Sequence, residues 1–344
     1  MNYILRDENA VYYECGFSCD NVVFLKLGSE AFFITDARYT TQAAELVKNA
    51  EVLLGDRRDL FITVRSLIEK AKITELSFNP SEWSVAGFAK FSQDLSSVEF
   101  KQVPNFSQQK RIIKSSDELS ILKNASHLGK VAFDNFANFL VNKGLHVSEQ
   151  RLHFEAEAIF KNFGELELSF SPIVALGKNA AKPHALPSTD TLSSKELVLV
   201  DAGVKYKRYC SDRTRVAEFN HSLNFGKSQN FSDAKRQKIY DTVLRAQEAG
   251  IKKAKPGVKA SEVDAACRNV ISDARFAEFF IHSTGHGVGL DIHELPIIST
   301  KSETVLEEGM VFTIEPGIYL PGEFGVRIED TVVATSNGVE VIGQ

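Results

Sequence analysis

The chain has 344 residues, 43% hydrophobic and 25% charged, with a formal net charge of −5 at pH 7. It is too long for one small core and too apolar for a disordered segment, so about two globular domains are expected. The acidic balance argues against a nucleic-acid surface, which needs a concentrated basic patch. The densest basic run, Lys235–Arg236–Gln237–Lys238, reads as a solvated helix face. No apolar stretch reaches the roughly 18–20 residues that a bilayer span requires, and the N-terminus shows no signal-peptide pattern. Cys15 and Cys19 lack the second pair that would complete a zinc site. With Cys210 and Cys267 they read as reduced thiols of a cytoplasmic protein.

In chain order, Val22–Leu27 and Ala31–Thr35 are short apolar runs around Gly28–Ser29, a hairpin pattern. Thr41–Asn49 and Asp59–Lys72 carry apolar residues at three- and four-residue spacing, which predicts helices. Strand and helix patterns recur as far as Val98–Val103, so residues 1–110 are expected to form a small mixed sheet covered by helices. The polar, proline-led segment 104–109 marks a boundary near residue 110. After it, Ser115 and Glu118 have the spacing of a capping box, opening a helix to about Asn142 that buries Leu119, Leu122 and Ala125. Two helical pairs follow in 111–344, each leading into strands. That order predicts an α+β domain of two facing helix-pair and sheet halves, with two acidic candidates from each half.

Five side chains in this second part suit a metal. Asp201 ends the buried run Leu197–Val200, where an uncompensated charge is costly. A return through Tyr209–Cys210–Ser211 brings Asp212 beside it, and two close carboxylates force proton uptake unless a cation lies between them. His286 sits among Gly285, Gly287 and Gly289, where glycine lets backbone and ligand approach. A zinc-protease HExxH pattern fails here, because 282–286 lacks the glutamate. Glu315 ends the strand Met310–Ile314. Glu329 lies in 326–333, where alternation puts Arg327, Glu329 and Thr331 on one face and Ile328 and Asp330 on the other. Arg327 is then expected to brace an acidic ligand. Four carboxylates and one imidazole exceed the needs of one ion and suit two divalent cations, the pattern of a two-metal hydrolytic site.

The segments DAG…CSD at 201–212, STGHGVGLDIHE at 283–294, TIEPGIY at 313–319 and GVRIED at 325–330 resemble the metallopeptidase family of prolidase, aminopeptidase P and methionine aminopeptidase. The resemblance spans roughly residues 111–344 and implies a pita-bread fold with Asp201, Asp212, His286, Glu315 and Glu329 as ligands of a dinuclear site. SFSPIVALGKNAAKPHALPS at 169–188 resembles the proline-specific branch. There the resemblance gives His184 a substrate-binding role and makes His282 and His293 outer histidines that contact substrate. YYECGF at 12–17 and TDARYTTQA at 35–43 resemble the amino-terminal domain of that branch, which methionine aminopeptidases lack. That domain usually begins with a further helix of about twenty residues, so the first strand here is expected to be an exposed edge. The stretch 220–235 is longer and more polar than the usual connection.

The expected activity is cleavage between an N-terminal residue and proline, an Xaa-Pro aminopeptidase using a hydroxide held between two divalent ions. Glu315 would be both ligand and proton shuttle, His293 and His184 would stabilise the oxyanion, and His282 would line the proline pocket. An oxygen-rich donor set suits manganese, with cobalt or zinc as alternatives. The resemblance further implies a homodimer acting on Xaa-Pro peptides, with no membrane or nucleic-acid partner. A prolidase restricted to dipeptides is the alternative within enzymes. A metal-free binding module of the same fold would need substitutions among the five ligands, and none is present.

Overall fold

The computed structural model describes residues 1–343 and divides into two compact units, Met1–Arg111 and the chain from Ile112 onward. In the first unit the order is β1 (Tyr3–Leu5), α1 (Glu8–Cys15), β2 (Val22–Leu27), β3 (Glu30–Thr35), α2 (Thr40–Leu46) and β4 (Glu51–Leu54). It continues with α3 (Leu60–Ala71), β5 (Glu75–Phe78), α4 (Val85–Ser92), β6 (Glu99–Gln102) and α5 (Phe106–Lys110). The sheet order is β4-β3-β2-β1-β5-β6, mixed in direction, with β2–β3 as the hairpin around Gly28–Ser29. Successive residues of its strands enter opposite cores. Ile4, Leu25 and Ile34 pack with α3 and α4, while Tyr3, Leu5, Phe24 and Phe33 pack with α1 and Phe106. A sheet covered on both faces therefore reads as continuous apolar runs rather than as alternation.

One expectation for this unit fails. The first strand is not an edge: β1 lies between β2 and β5, with Ile4 and Leu5 fully buried. Segment 104–109, which precedes the division at Arg111, has structure of its own. It contains most of α5, whose Phe106 ring lies 4.9 Å from that of Tyr3. One buried aromatic outweighed the polar composition around it.

The second unit runs α6 (Ser116–Phe139), α7 (Glu149–Phe160), β7 (Glu167–Leu168), β8 (Ile173–Leu176), β9 (Leu197–Ala202), β10 (Val204–Tyr206), β11 (Tyr209–Cys210) and β12 (Arg213–Glu218). Then come α8 (Ala234–Lys253), α9 (Ala260–Asp273), β13 (Gly285–Gly287), β14 (Glu294–Ile298) and β15 (Val311–Ile314). The last strands are β16 (Gly317–Leu320), β17 (Phe324–Arg327), β18 (Asp330–Thr335) and β19 (Gly338–Val341). Ser115 caps α6 with both bonds of the capping box, although Leu119 is only half-buried. Helices α6 and α7 cover the sheet β12-β9-β8, and α8 and α9 cover β14-β13-β15-β18-β19. Along β9 the burial splits by parity: Val198 and Val200 pack with α6 and α7, whereas Leu197 and Leu199 join the other core. Asp201 continues the Leu197–Leu199 face, so it emerges between the two halves. This is the α+β arrangement of two facing halves that the element order predicts, and the pita-bread fold that the resemblance implies.

Candidate metal centre and substrate cleft

All nine residues nominated from sequence line one cavity of about 610 Å³ in the second unit. Asp201 stands at the end of β9 opposite Thr214 of β12, and Asp212 ends the turn out of β11. His286 is central in β13, and Glu315 follows β15. Glu329 does not lie in a continuous strand, as alternation over 326–333 implied. The run breaks at Ile328–Glu329, between β17 and β18. The break leaves Glu329 outside both ladders, and its amide N–H is held instead by the Thr214 carbonyl at 3.2 Å.

Ligand atoms of Asp212, His286 and Glu329 all lie within 4.8 Å of one another. His286 Nδ1 lies 3.1 Å from the Gly287 carbonyl, which can only accept, so Nδ1 carries the proton. Its Nε2 lone pair then faces Glu315 Oε1 at 3.4 Å and Asp212 Oδ2 at 3.6 Å. Three acceptors pointed at each other are repulsive until a cation joins them. Asp201 adds a second sign: Oδ2 takes a hydrogen bond from Arg327 Nη2 at 2.5 Å, but the buried Oδ1 has no partner. These observations fit a divalent cation, and the donor set is mostly hard oxygen.

The electrostatics agree. Burial, and then the charges of Glu329, Asp201 and Glu315, hold the Asp212 carboxyl well above the usual range. Burial with Glu315 and Asp201 does the same to Glu329. Glu315 is pushed up to about 8 by burial, Arg327 pulling it down while Asp201 adds to the rise. Burial, with His293 second, lowers His286 to about 4, so its imidazole is neutral and free to ligate.

Arg327 is the hub around the cluster. Its Nε donates to Thr214 Oγ1 at 3.0 Å, and Thr214 Oγ1 donates to Glu329 Oε2 at 2.7 Å. Its Nη1 reaches the Tyr319 hydroxyl at 2.8 Å and the Pro183 carbonyl at 3.3 Å. Tyr319 in turn lies 2.8 Å from His282 Nε2, and His282 Nδ1 lies 2.8 Å from the Ser283 carbonyl. A continuous chain of bonds therefore joins a cleft histidine to Asp201. His293 is exposed with its ring 4.3 Å from His286, and His184 is exposed on the cavity wall.

Thr214, Thr313 and Tyr319 were not nominated from sequence. Thr313 Oγ1 donates to Glu315 Oε1 at 3.3 Å and accepts from the His286 amide at 3.1 Å. The signals existed, because Thr313 and Tyr319 stand on the same strand faces as Glu315 and Gly317 in TIEPGIY. Gly285 is required by proximity: a Cβ there would lie 2.0 Å from the Thr313 carbonyl oxygen. His153 also lines the cavity, though nothing in the sequence marked it. The first unit holds a concavity of similar size, about 680 Å³, where Arg38 pairs with Asp36, Arg58 with Asp56 and Lys90 with Asp59. Among the described residues its aspartates form no cluster of metal donors like that of Asp212, His286 and Glu329.

Four carboxylates around a neutral imidazole in a walled cleft define a metal-dependent hydrolase. Residues 120–336 match metallopeptidase family M24, and residues 2–113 match the creatinase/prolidase N-terminal domain. The chain belongs to family M24 and is a peptidase. It is 36% identical over 339 residues to an uncharacterised peptidase of Bacillus subtilis, covering 98% of this chain and 92% of that relative. Two solved structures align with all of this chain. One is an X-Pro aminopeptidase from Thermotoga maritima, with 30% identity, TM-score 0.88 and 95% of its length covered. The other is an Xaa-Pro dipeptidase from Bacillus anthracis, with 34% identity, TM-score 0.90 and 92% covered.

Proposed function

We propose that this protein is an Xaa-Pro aminopeptidase that releases an N-terminal residue preceding proline. The observation that carries the reading is the bonded chain His282–Tyr319–Arg327–Asp201, which couples a histidine of the cleft wall to the acidic cluster. Asp201, Asp212, His286, Glu315 and Glu329 would hold two divalent cations, with manganese the best match to an oxygen-rich set and cobalt or zinc as alternatives. When bound, such ions supply Lewis acidity and bring the pKa of a neighbouring water toward neutrality. Glu315 passes a proton toward the leaving proline nitrogen. His293 and His184 donate to the developing oxyanion, where one donor can contribute about 2.7–4 kcal/mol. His282 lines the proline pocket, and Arg327 braces Asp201. The domain limits that accompany this reading are 1–110 and 111–344, and the active form is a homodimer.

The test is a peptide screen on purified protein with and without added manganese. Xaa-Pro substrates should be cleaved only with metal, and Glu315→Ala and Asp212→Ala should lose both bound metal and turnover. Full turnover by either metal-loaded variant would overturn the mechanism. A prolidase is the second reading, favoured by the dipeptidase among the similar structures. Cleavage of Ala-Pro but not Ala-Pro-Ala would select it.

A further inference from the structure

Residues 219–233 connect β12 to α8 without regular structure, and they include the polar stretch that the sequence sets apart. The connection is not a loose loop. Leu223, Phe225 and Phe231 are buried. The Phe225 ring lies 5.5 Å from Phe133 and 6.4 Å from Phe136 on α6, and Phe231 lies 5.2 Å from Tyr240 on α8. The Tyr240 hydroxyl donates to the Lys227 carbonyl at 2.9 Å, fixing the strap midway between these anchors.

Lys227 itself turns inward. Its ammonium donates to Gln247 Oε1 at 3.2 Å and pairs with Asp330, the residue after Glu329. The Asp330 side chain is fully buried. Its Oδ1 accepts from Arg215 Nη2 at 2.5 Å, and its Oδ2 accepts from Gln247 Nε2 at 2.7 Å. The other arm of Arg215 donates to the Glu329 and Thr214 carbonyls. Arg215 thus ties β12 to the break between β17 and β18 from which Glu329 projects. One carboxylate here meets two cations, so Arg215 alone would balance Asp330.

We propose that the 219–233 strap braces the metal centre, with Lys227 as a positioning residue that acts through Asp330 and Arg215 on the backbone of Glu329. The inference rests on reading Glu329 as a metal ligand. Loss of Lys227 leaves Asp330 Oδ2 to the Gln247 amide and removes the donor that orients that amide. The Glu329 carboxylate then spends less time where a cation needs it.

Manganese chloride titrated calorimetrically into metal-free full-length protein tests this directly. Lys227→Met should weaken the affinity of at least one bound ion tenfold or more, and Lys227→Arg should recover most of the loss. At saturating manganese, kcat should fall while KM for an Xaa-Pro peptide changes less than threefold. Lys235→Met, which removes the exposed pair with Glu323, should leave the titration unchanged. Should Lys227→Met not fold, Tyr240→Phe loosens the strap with the charge retained and should also weaken binding. Wild-type affinity in Lys227→Met, or in Tyr240→Phe if that is the variant that folds, overturns the proposal, whatever happens to the Tm. Absence of manganese binding by the wild type would instead remove the metal reading, and this inference with it.

Discussion

At the scale of single residues, the site is built of groups that polarise one another, beyond the five candidate metal donors. Tyr319 connects His282 to Arg327, and its hydroxyl is buried between two polar partners. Tyr319→Phe leaves both partners short of a bond. A loss on the order of tenfold in kcat/KM is expected, with metal content unchanged by elemental analysis. His282 makes a second prediction. Burial, with Arg327 next and Arg268 and His184 adding to it, lowers its pKa from 6.5 to about 4, against the pull of the Ser283 carbonyl. Between those values the unfolded chain binds a proton that the folded chain refuses. This contribution to stability is therefore complete above pH 6.5 and disappears as the pH falls toward 4. His282→Gln should flatten the decline of Tm with acid across that window, and a slope equal to wild type would refute the assignment.

At the scale of elements, what was legible was what local chemistry encodes. The β2–β3 hairpin followed from two apolar runs around Gly28–Ser29, and the start of α6 from Ser115 and Glu118 three residues apart. Ser115→Ala should cost about 1 kcal/mol in chemical denaturation. The inner hairpin that delivers Asp212 was half legible. Lys205 pairs with Cys210 as a tight return, while Asp201 pairs with Thr214 in a longer ladder around it. The nesting relies on Gly203, where a Cβ would fall 1.8 Å from the Ser211 carbonyl oxygen. Backbone cannot yield there as a flexible side chain can, so Gly203→Ala should cost several kcal/mol and reduce metal retention together. The break at Ile328–Glu329 was not legible. Alternation continues through 326–333, and only pairing with different partners on either side divides it.

For the whole molecule, the second unit has two cores that share β9, and the acidic cluster forms where its inner face meets the other half. Folding such a unit concentrates carboxylates that repel one another, and a bound cation removes that cost. Chelation should therefore lower the Tm. Metal at a thousandfold excess over Kd should restore about 4 kcal/mol, read as a concentration-dependent Tm. A Tm indifferent to chelator and to manganese would contradict the role given to these residues. The homodimer in the proposal predicts a mass twice 38.2 kDa by light scattering.

The sequence by itself singled out the side chains that line the cleft. Asp201, Asp212, His286, Glu315 and Glu329 each stand in a local context that is poor for a core and good for a ligand. It also determined the order of helix pairs and strands, because periodicity and capping act over a few residues. The tertiary structure alone decided which of these groups meet. Arg327 reaches Asp201 across 126 positions, Thr214 joins Glu329 across 115, and Gln247 meets Asp330 across 83. No local pattern encodes such pairs, since they arise when two sheets pack and buried donors must find acceptors. The polar strap that composition marked as an excursion shows this most plainly: its three buried anchors and Lys227 gain meaning only from the helices and the carboxylate they reach.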